Sequence, residues 1–217
     1  MGIGGLLSLQ KLSCIKANQG SDLIRELGEL KQLRSLRISD FRREDGNAVC
    51  SSVQKLTNLF SSFLVSNEII DLQYLSSPPP FLQRLHLEGR LDKLPQWISS
   101  LPNLAKVQLS RSQLQLSRSQ LQHDPLEFLH PLPNLVELKF YRAYEGQMLH
   151  FRAGGFQRLR KMLLYSLPGL RFITAEKGSL PSLEVVQIII CRLLKMRVLV
   201  GFEDLKNPKI VEFGFNI

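Results

Sequence analysis

Two groups of residues in this 217-residue sequence are of the types that ligand-binding and catalytic sites use. The first is a glycine cluster near the start, Gly2, Gly4 and Gly5, which could turn backbone amides toward a phosphate. A phosphate loop also requires a Lys-Ser/Thr pair and a preceding strand, and neither accompanies these glycines. The cluster therefore indicates a structural turn.

The second group is the histidines and cysteines, since both residue types bind metals and serve as bases or nucleophiles. They are His86, His123, His130, His150, Cys14, Cys50 and Cys191. Their spacing matches no zinc motif, and the sequence contains no Gly-x-Ser-x-Gly or His-Glu-x-x-His segment. An odd number of distant cysteines also argues against a disulfide framework. The sequence therefore predicts no enzyme, no metal site and no cofactor.

Composition limits the class of protein. The chain has 28 basic and 19 acidic residues, a formal charge of +9, and 44% hydrophobic residues. This charge suits nucleic acid, an anionic membrane or an acidic protein, and it does not choose among them. The start lacks the pattern of a signal peptide, and no apolar run reaches the ~18 residues of a membrane helix. We expect a soluble cytoplasmic protein.

An apolar-x-x-apolar-x-x-apolar-x-apolar pattern recurs along the whole chain. We call its third apolar position the marker. The markers are Leu12, Leu36, Phe63, Leu85, Val107, Leu138, Met162, Val186 and Val211. They are 22 to 31 residues apart, and a period near 24 is typical of leucine-rich repeats.

The pattern predicts the architecture, because a closing apolar-x-apolar sequence indicates a short strand with one buried face. We predict an α/β leucine-rich-repeat solenoid, a horseshoe with a parallel concave sheet and one strand per repeat. Residues 1–217 would form a single domain of about nine repeats. The strands are expected near 12–14, 36–38, 63–65, 85–87, 107–109, 138–140, 162–164, 186–188 and 211–213. We expect short helices after Ser21 and Ser51, and irregular turns elsewhere on the convex side.

Two features depart from a regular array. The heptad LSRSQLQ at 109–115 is repeated at 116–122, within the 31-residue interval between markers, and we interpret it as a looped-out duplication. The repeat consensus also places Asn five residues after the marker, where its side chain binds loop backbone. Only Asn216 and the substitute Cys191 match this consensus.

Residues 76–104, SSPPPFLQRLHLEGRLDKLPQWISSLPNL, and residues 2–18, GIGGLLSLQKLSCIKAN, carry a family resemblance. They resemble repeats of plant disease-resistance proteins, which combine a coiled coil, a nucleotide-binding module and leucine-rich repeats. The resemblance implies a role in intracellular pathogen sensing. No Walker-type loop is present, so we expect the coiled-coil and nucleotide-binding modules to be absent and the chain to be a truncated receptor.

The outward positions of the predicted concave sheet are rich in cations. Nine are basic: Lys11, Lys16, Arg37, Arg84, Lys106, Arg111, Lys139, Arg142 and Lys161. Four are acidic: Asp40, Glu88, Glu137 and Glu212. We predict that Arg84, Lys106, Lys139 and Lys161 form one row across the strands, beside His86, Tyr141 and Tyr165. A merely solvated basic face is the alternative interpretation.

The predicted function is a protein-protein interaction module. The predicted partner-binding residues are Arg37, Arg84, His86, Lys106, Gln108, Lys139, Tyr141, Lys161 and Tyr165. The partner would be the nucleotide-binding module of the same or a related receptor, a pathogen effector or a guarded host protein. A nucleic-acid-binding basic repeat protein is the alternative. The apolar segment 185–190, VVQIII, would be either an interface or a surface covered by the C-terminal tail.

Overall fold

The computed structural model describes residues 2–17, 21–91, 93–111, 124–194, 199–200, 202 and 210–214. The second copy of the duplicated heptad, 116–122, and the C-terminal tail, 215–217, lie outside the described residues.

Short strands dominate the described part of the chain. The strands are β1 Lys11–Lys16, β2 Ser35–Ser39, β3 Ser61–Ile69, β4 Arg84–Arg90, β5 Lys106–Ser110, β6 Glu137–Tyr141, β7 Met148–Phe151, β8 Lys161–Tyr165, β9 Phe172–Ala175, β10 Val185–Ile189, β11 Leu199–Val200 and β12 Ile210–Gly214. Nine of them form one parallel sheet in the order β1-β2-β3-β4-β5-β6-β8-β10-β12. Consecutive neighbours in this large sheet are one repeat apart, as in a solenoid.

The large sheet buries one face against a continuous apolar core. Marker side chains such as Leu36, Leu85 and Leu138 are almost completely buried, and so are the leucines that precede them in each repeat, such as Leu101 and Leu104. Side chains alternate between the two faces of a strand. The residues beside each marker therefore lie on the opposite, concave face of the sheet.

The third repeat differs from its prediction. The structure places Ser62 at the marker position, where it pairs with Leu36 on one side and Leu85 on the other. Phe63, the predicted marker, is half-exposed on the concave face. A shift of one residue exchanges the two faces of a strand. The predicted marker was wrong because a serine, and not an apolar residue, occupies the core position of this repeat.

Short helices connect the first repeats. They are α1 Ser21–Leu27, α2 Gly46–Val53 and α3 Leu126–Leu129, with 3-10 helices at Arg43–Asp45 and Gln96–Ser100. The helix expected after Ser21 is confirmed. The helix expected after Ser51 is wrong, because Ser51 and Ser52 lie in the last turn of α2. The Ser52 hydroxyl donates a hydrogen bond to the Ile24 carbonyl at 2.5 Å and so joins α2 to α1.

A second parallel sheet forms where we expected helices and irregular turns. It consists of β7, β9 and β11 in the order β11-β9-β7. In β7 and β9 the buried residues are Leu149, Phe151, Ile173 and Ala175, each alternating with a more exposed neighbour. This alternation with aromatic and β-branched residues favours strands over helices. The expectation for these repeats was therefore wrong.

A ladder of polar side chains ties successive repeats together on the N-terminal side of the strands. The donors are Asn58 to Lys31 O, Asn103 to Pro80 O, Asn134 to Pro102 O and Ser182 to Gln157 O, at 2.8 to 2.9 Å. Each donor lies four residues before the structural marker of its own repeat. The side-chain hydrogen bonds that the consensus asparagines would form after the marker are absent from most repeats, and this ladder before the marker takes over their role of joining neighbouring repeats. The recurring Leu-x-Asn-Leu segments were the sequence feature that could have predicted this ladder.

Candidate functional site

The concave face carries three rows of side chains, because the strands pair in register. The first row is Ser35, Ser61, Arg84, Lys106, Glu137, Lys161 and Val185. The second row is Arg37, Phe63, His86, Gln108, Lys139, Leu163 and Gln187. The third row is Val65, Glu88, Ser110, Tyr141, Tyr165 and Ile189. All nine predicted partner-binding residues lie in these rows.

The predicted row of four cations is wrong. Arg84, Lys106 and Lys161 belong to the first row, but Glu137 occupies the position between Lys106 and Lys161. Lys139 lies in the second row, paired with Gln108. The reason is that Lys139 follows its marker, whereas the other three cations precede theirs. Residues on either side of one marker share a face but not a row.

Glu137 neutralises two of the predicted cations. Its carboxylate lies 2.7 Å from the Lys106 ammonium and 2.5 Å from the Lys139 ammonium. Burial opposes the charged form of Glu137, but hydrogen bonds from Lys106 and Lys139 outweigh it and lower the pKa of the carboxyl group. Glu137 is therefore ionised at neutral pH. Lys106 and Lys139 are therefore both ion-paired with an acidic residue of the same surface.

Two arginines on the same face stack on phenylalanine rings. The Arg37 guanidinium lies 4.2 Å from the centroid of the Phe63 ring, and the Arg84 guanidinium lies 5.6 Å from that of Phe60. Such cation–π contacts hold a guanidinium plane without consuming its hydrogen-bond donors. Within the described part of the chain, neither arginine has a carboxylate at ion-pair distance. Both arginines remain exposed.

His86 extends this stack into the next strand. Its ring centroid lies 3.7 Å from that of Phe63. Burial, followed by the positive charge of Arg37, lowers the pKa of His86 to about 4. The imidazole is therefore neutral at physiological pH. Its Nε2 atom lies 3.6 Å from Glu88 and has no hydrogen-bond partner among the described residues. His86 contributes an aromatic surface and not a positive charge.

Two clefts adjoin on the concave face, with His86 and Gln108 lining both. The first, of about 260 Å³, is bordered by Phe63 and Arg84. The second, of about 490 Å³, is bordered by Tyr141 and Tyr165. The clefts run across neighbouring strands and offer space for an extended partner more than for an enclosed small molecule.

The third row is aromatic and aliphatic in the C-terminal half of the face. The rings of Tyr141 and Tyr165 lie 5.6 Å apart, and Ile189 follows them in the third row. In the segment VVQIII, Val186 and Ile188 are buried, whereas Val185 and Ile189 are half-exposed on the concave face. The predicted alternative, a cover formed by the C-terminal tail, concerns residues 215–217, which lie outside the described residues.

A polar group that sequence reasoning missed lies on the small sheet. His150 Nδ1 lies 2.7 Å from the Thr174 hydroxyl, and Nε2 lies 2.9 Å from Glu176. The backbone N–H of Ala153 donates to the same carboxylate at 2.7 Å. That bond, followed by the one from His150, lowers the pKa of Glu176. Thr174 and Glu176 follow His150 by about one repeat, so the repeat period itself could have revealed this link between β7 and β9.

The described residues contain neither a metal site nor a membrane-spanning helix. No group of three or more His, Cys, Asp or Glu side chains in that part of the chain could hold a metal ion. None of its helices has the length and apolar character needed to cross a membrane.

Known proteins similar to this chain support the repeat architecture. A family model described as "Leucine-rich repeat region" matches residues 1–216. The disease resistance protein RPM1 of Arabidopsis thaliana is 33% identical over 208 residues, which is 93% of this chain and 21% of the relative. The disease resistance protein Pik-2 of Oryza sativa subsp. japonica is 28% identical over 243 residues, 97% of this chain and 22% of the relative.

These matches confirm two predictions from the sequence. The leucine-rich-repeat fold and the resemblance to plant disease-resistance proteins are both correct. The chain spans about a fifth of the length of the relatives that it matches.

Proposed function

Since the chain belongs to the leucine-rich repeat family, we propose that it is a protein-interaction module that binds its partners on the concave face. The observation that carries this proposal is the pair of stacked arginines, Arg37 and Arg84, which are exposed beside the clefts. A charged group that is held in place loses little entropy on binding. Solenoids also use their extended concave surfaces for recognition.

The partners we propose are proteins of plant immunity. The relatives are disease-resistance proteins. The candidates are the nucleotide-binding module of the same or a related receptor, a pathogen effector, or a host protein that the receptor guards. The binding would take place in the cytoplasm, with no enzymatic step and no cofactor.

Charge distribution favours a protein partner over nucleic acid. A phosphate backbone requires a continuous track of cations. On this face Glu137 interrupts the first row between Lys106 and Lys161, and Glu88 lies in the third row. An acidic protein surface can avoid these two carboxylates, whereas an evenly charged polymer cannot. We therefore keep nucleic acid as the alternative that the experiment must test.

The test is charge reversal on two sides of the molecule. Arg37→Glu combined with Arg84→Glu changes the concave face, and Arg25→Glu combined with Arg171→Glu is the matched control on exposed arginines outside the large sheet. Binding to the nucleotide-binding module of a plant disease-resistance receptor is measured by co-precipitation at low and high salt. Only the concave pair should abolish binding.

Two outcomes would contradict the proposal. Equal losses from both pairs would mean that the concave arginines are an ordinary solvated surface. Binding of single-stranded RNA or of duplex DNA that persists at about 200 mM salt would favour the nucleic-acid alternative, because non-specific phosphate contacts weaken steeply with salt.

A further inference from the structure

We propose that the concave face recognises a bipartite protein segment, with a carboxylate at one end and apolar side chains at the other. The carboxylate end binds between Arg37 and Arg84, on strands β2 to β4, a surface we call the arginine zone. The apolar end binds Tyr141, Tyr165 and Ile189, on strands β6 to β10, which we call the tyrosine zone. The inference rests on the proposed function and adds the chemistry and the orientation of the partner.

The first argument is the location of uncompensated charge. Lys106 and Lys139 are paired with Glu137, so a partner carboxylate would have to compete with a carboxylate already in place. Lys161 has no such ion pair among the described residues, but it is a single cation whose register neighbour is Glu137. Arg37 and Arg84 likewise have no carboxylate at ion-pair distance among the described residues, and they provide two cations on the strands that flank β3. The attraction for an acidic group is therefore strongest at the arginine zone.

The second argument is that the arginine zone is preorganised. Cation–π contacts with Phe63 and Phe60, at 4.2 and 5.6 Å from guanidinium carbon to ring centroid, restrict the two arginine side chains. A fixed guanidinium can bind both oxygens of a carboxylate with parallel hydrogen bonds. His86 lies on the strand beyond Phe63 and stays neutral, so it neither repels the arginine strongly nor attracts the acid. The geometry favours a carboxylate that approaches the N–H edges of the guanidinium groups.

The third argument is the apolar surface at the other end. Tyr141 and Tyr165 pack against each other at 5.6 Å, and Ile189 continues their row. Leu163 lies beside them in the second row. These side chains are half-exposed. Aromatic side chains with a polar tip are typical of protein-binding surfaces, since they bury much area at a small entropic cost.

The distance between the zones sets the length of the segment. Strand β4, which carries Arg84, is three steps from β8, which carries Tyr165, in the large sheet. At about 4.8 Å per step these two residues are roughly 14 Å apart across the strands. About four residues of extended chain or about nine residues of helix span that distance. The Lys106–Glu137–Lys139 cluster lies on β5 and β6, next to Arg84 on one side and on the same strand as Tyr141 on the other, and it faces the polar middle of the segment.

The experiment uses synthetic peptides and the full chain. The probe peptide has three glutamates, a polar spacer of four residues and a Leu-Phe-Leu block. It is prepared with a benzophenone either at the acidic end or at the apolar end. After irradiation, mass spectrometry locates the crosslinks. We expect the acidic end within 35–39, 61–69 or 84–90, and the apolar end within 137–141, 161–165 or 185–189.

Variants provide the matched controls. Arg37→Gln combined with Arg84→Gln should weaken peptide binding about tenfold or more, because charge-assisted hydrogen bonds are lost. Lys106→Gln should weaken it less than about threefold, since Lys106 already serves Glu137. When the glutamates of the probe are replaced by glutamine, its affinity for the unsubstituted chain should fall by the same factor as the affinity of the original probe for the arginine variant. Circular dichroism of each variant checks that the sheet is intact.

The outcomes separate this inference from the proposed function. Crosslinks on the concave strands with the two ends in mixed or reversed order would overturn the bipartite arrangement and leave concave binding standing. An equal loss of affinity for the Lys106 and the arginine variants would overturn it as well. No crosslinks would overturn the bipartite arrangement alone, because charge reversal tests concave binding with a different partner. Crosslinks confined to residues outside the large sheet would count against both proposals.

Discussion

Ser62 and Ser66 lie four residues apart on the buried face of strand β3, but only Ser66 is hydrogen-bonded. The Ser66 hydroxyl donates to the Phe41 carbonyl at 2.6 Å and accepts from the backbone N–H of Glu68 at 3.0 Å. The Ser62 hydroxyl is buried with no partner among the described residues. One strand therefore contains a satisfied and an unsatisfied buried hydroxyl.

This pair predicts opposite effects of the same substitution. Ser62→Ala should raise the free energy of unfolding by about 1 kcal/mol, because an unsatisfied buried hydroxyl is removed. Ser66→Ala should lower it by about 1–2 kcal/mol, because its partners at Phe41 and Glu68 lose a bond. Urea unfolding of both variants is the measurement. If the two substitutions destabilise the chain equally, Ser62 has a partner that the structure does not reveal.

The buried imidazole of His86 predicts a loss of stability in mild acid. Its folded-state pKa of about 4 lies below its ordinary value of 6.5. As the pH falls below 6.5, His86 binds a proton in the unfolded chain but stays neutral in the folded chain until the pH approaches 4. The free energy of unfolding should therefore fall between about pH 6.5 and 4, by up to about 3 kcal/mol.

His86→Gln tests this origin of the acid sensitivity. Urea unfolding of the variant at pH 7.5, 5.5 and 4.5 should show a smaller decrease over this range than the unsubstituted chain. His150→Gln is the control, since it alters a histidine on the other sheet. An unchanged pH profile for His86→Gln would show that another group causes the loss.

Glu137 predicts a second loss of stability at lower pH. Its pKa is lowered in the folded state, so its contribution is present above the ordinary value of 4.5 and disappears as the pH falls through the folded-state pKa. Glu137→Gln should cost about 1 kcal/mol or less at pH 7, and progressively less as the pH falls below 4.5. Glu127→Gln, which breaks an exposed pair with Arg152, should have little effect. A larger loss at pH 3 than at pH 7 would contradict this assignment.

Ile190 has a backbone conformation that β-branched residues disfavour. Its φ is 58°, and Asp40, Arg142 and Ser166 occupy the same left-handed region directly after their strands. Ile190→Gly should leave the free energy of unfolding unchanged or raise it by up to about 1 kcal/mol, because relief of strain offsets lost contacts. Ile189→Gly, within β10, should lower it. Thermal melts compare the two, and an equal decrease would mean that the strain is negligible.

Asn134 predicts the contribution of the polar ladder. Its side chain donates to the Pro102 carbonyl at 2.8 Å and accepts from Arg158 at 2.7 Å, so it links three repeats. Asn134→Ala should lower the free energy of unfolding by about 1–2 kcal/mol. Gln73→Ala, at an exposed position, should change it by less than about 0.5 kcal/mol. Chemical unfolding of both variants decides whether the ladder stabilises the array.

The sequence by itself determined the architecture of this protein. A repeating pattern of leucines can bury its apolar side chains only if each repeat covers the next, so the period alone implied a parallel sheet and a solenoid. It also placed the nine predicted residues on one face, because side chains alternate along a strand. These inferences depend on local periodicity, which a linear sequence displays directly.

The tertiary structure decided which of these residues are available. Periodicity cannot resolve a shift of one residue, so it assigned Phe63 to the core and missed Ser62. Nor does it give the distance between side chains that belong to different repeats. Glu137 forms an ion pair with Lys106, which lies 31 residues earlier in the sequence, and Arg37 contacts Phe63, which lies 26 residues later. Only the register of neighbouring strands brings such residues together, and that register neutralises one part of the basic face while it leaves the arginines exposed.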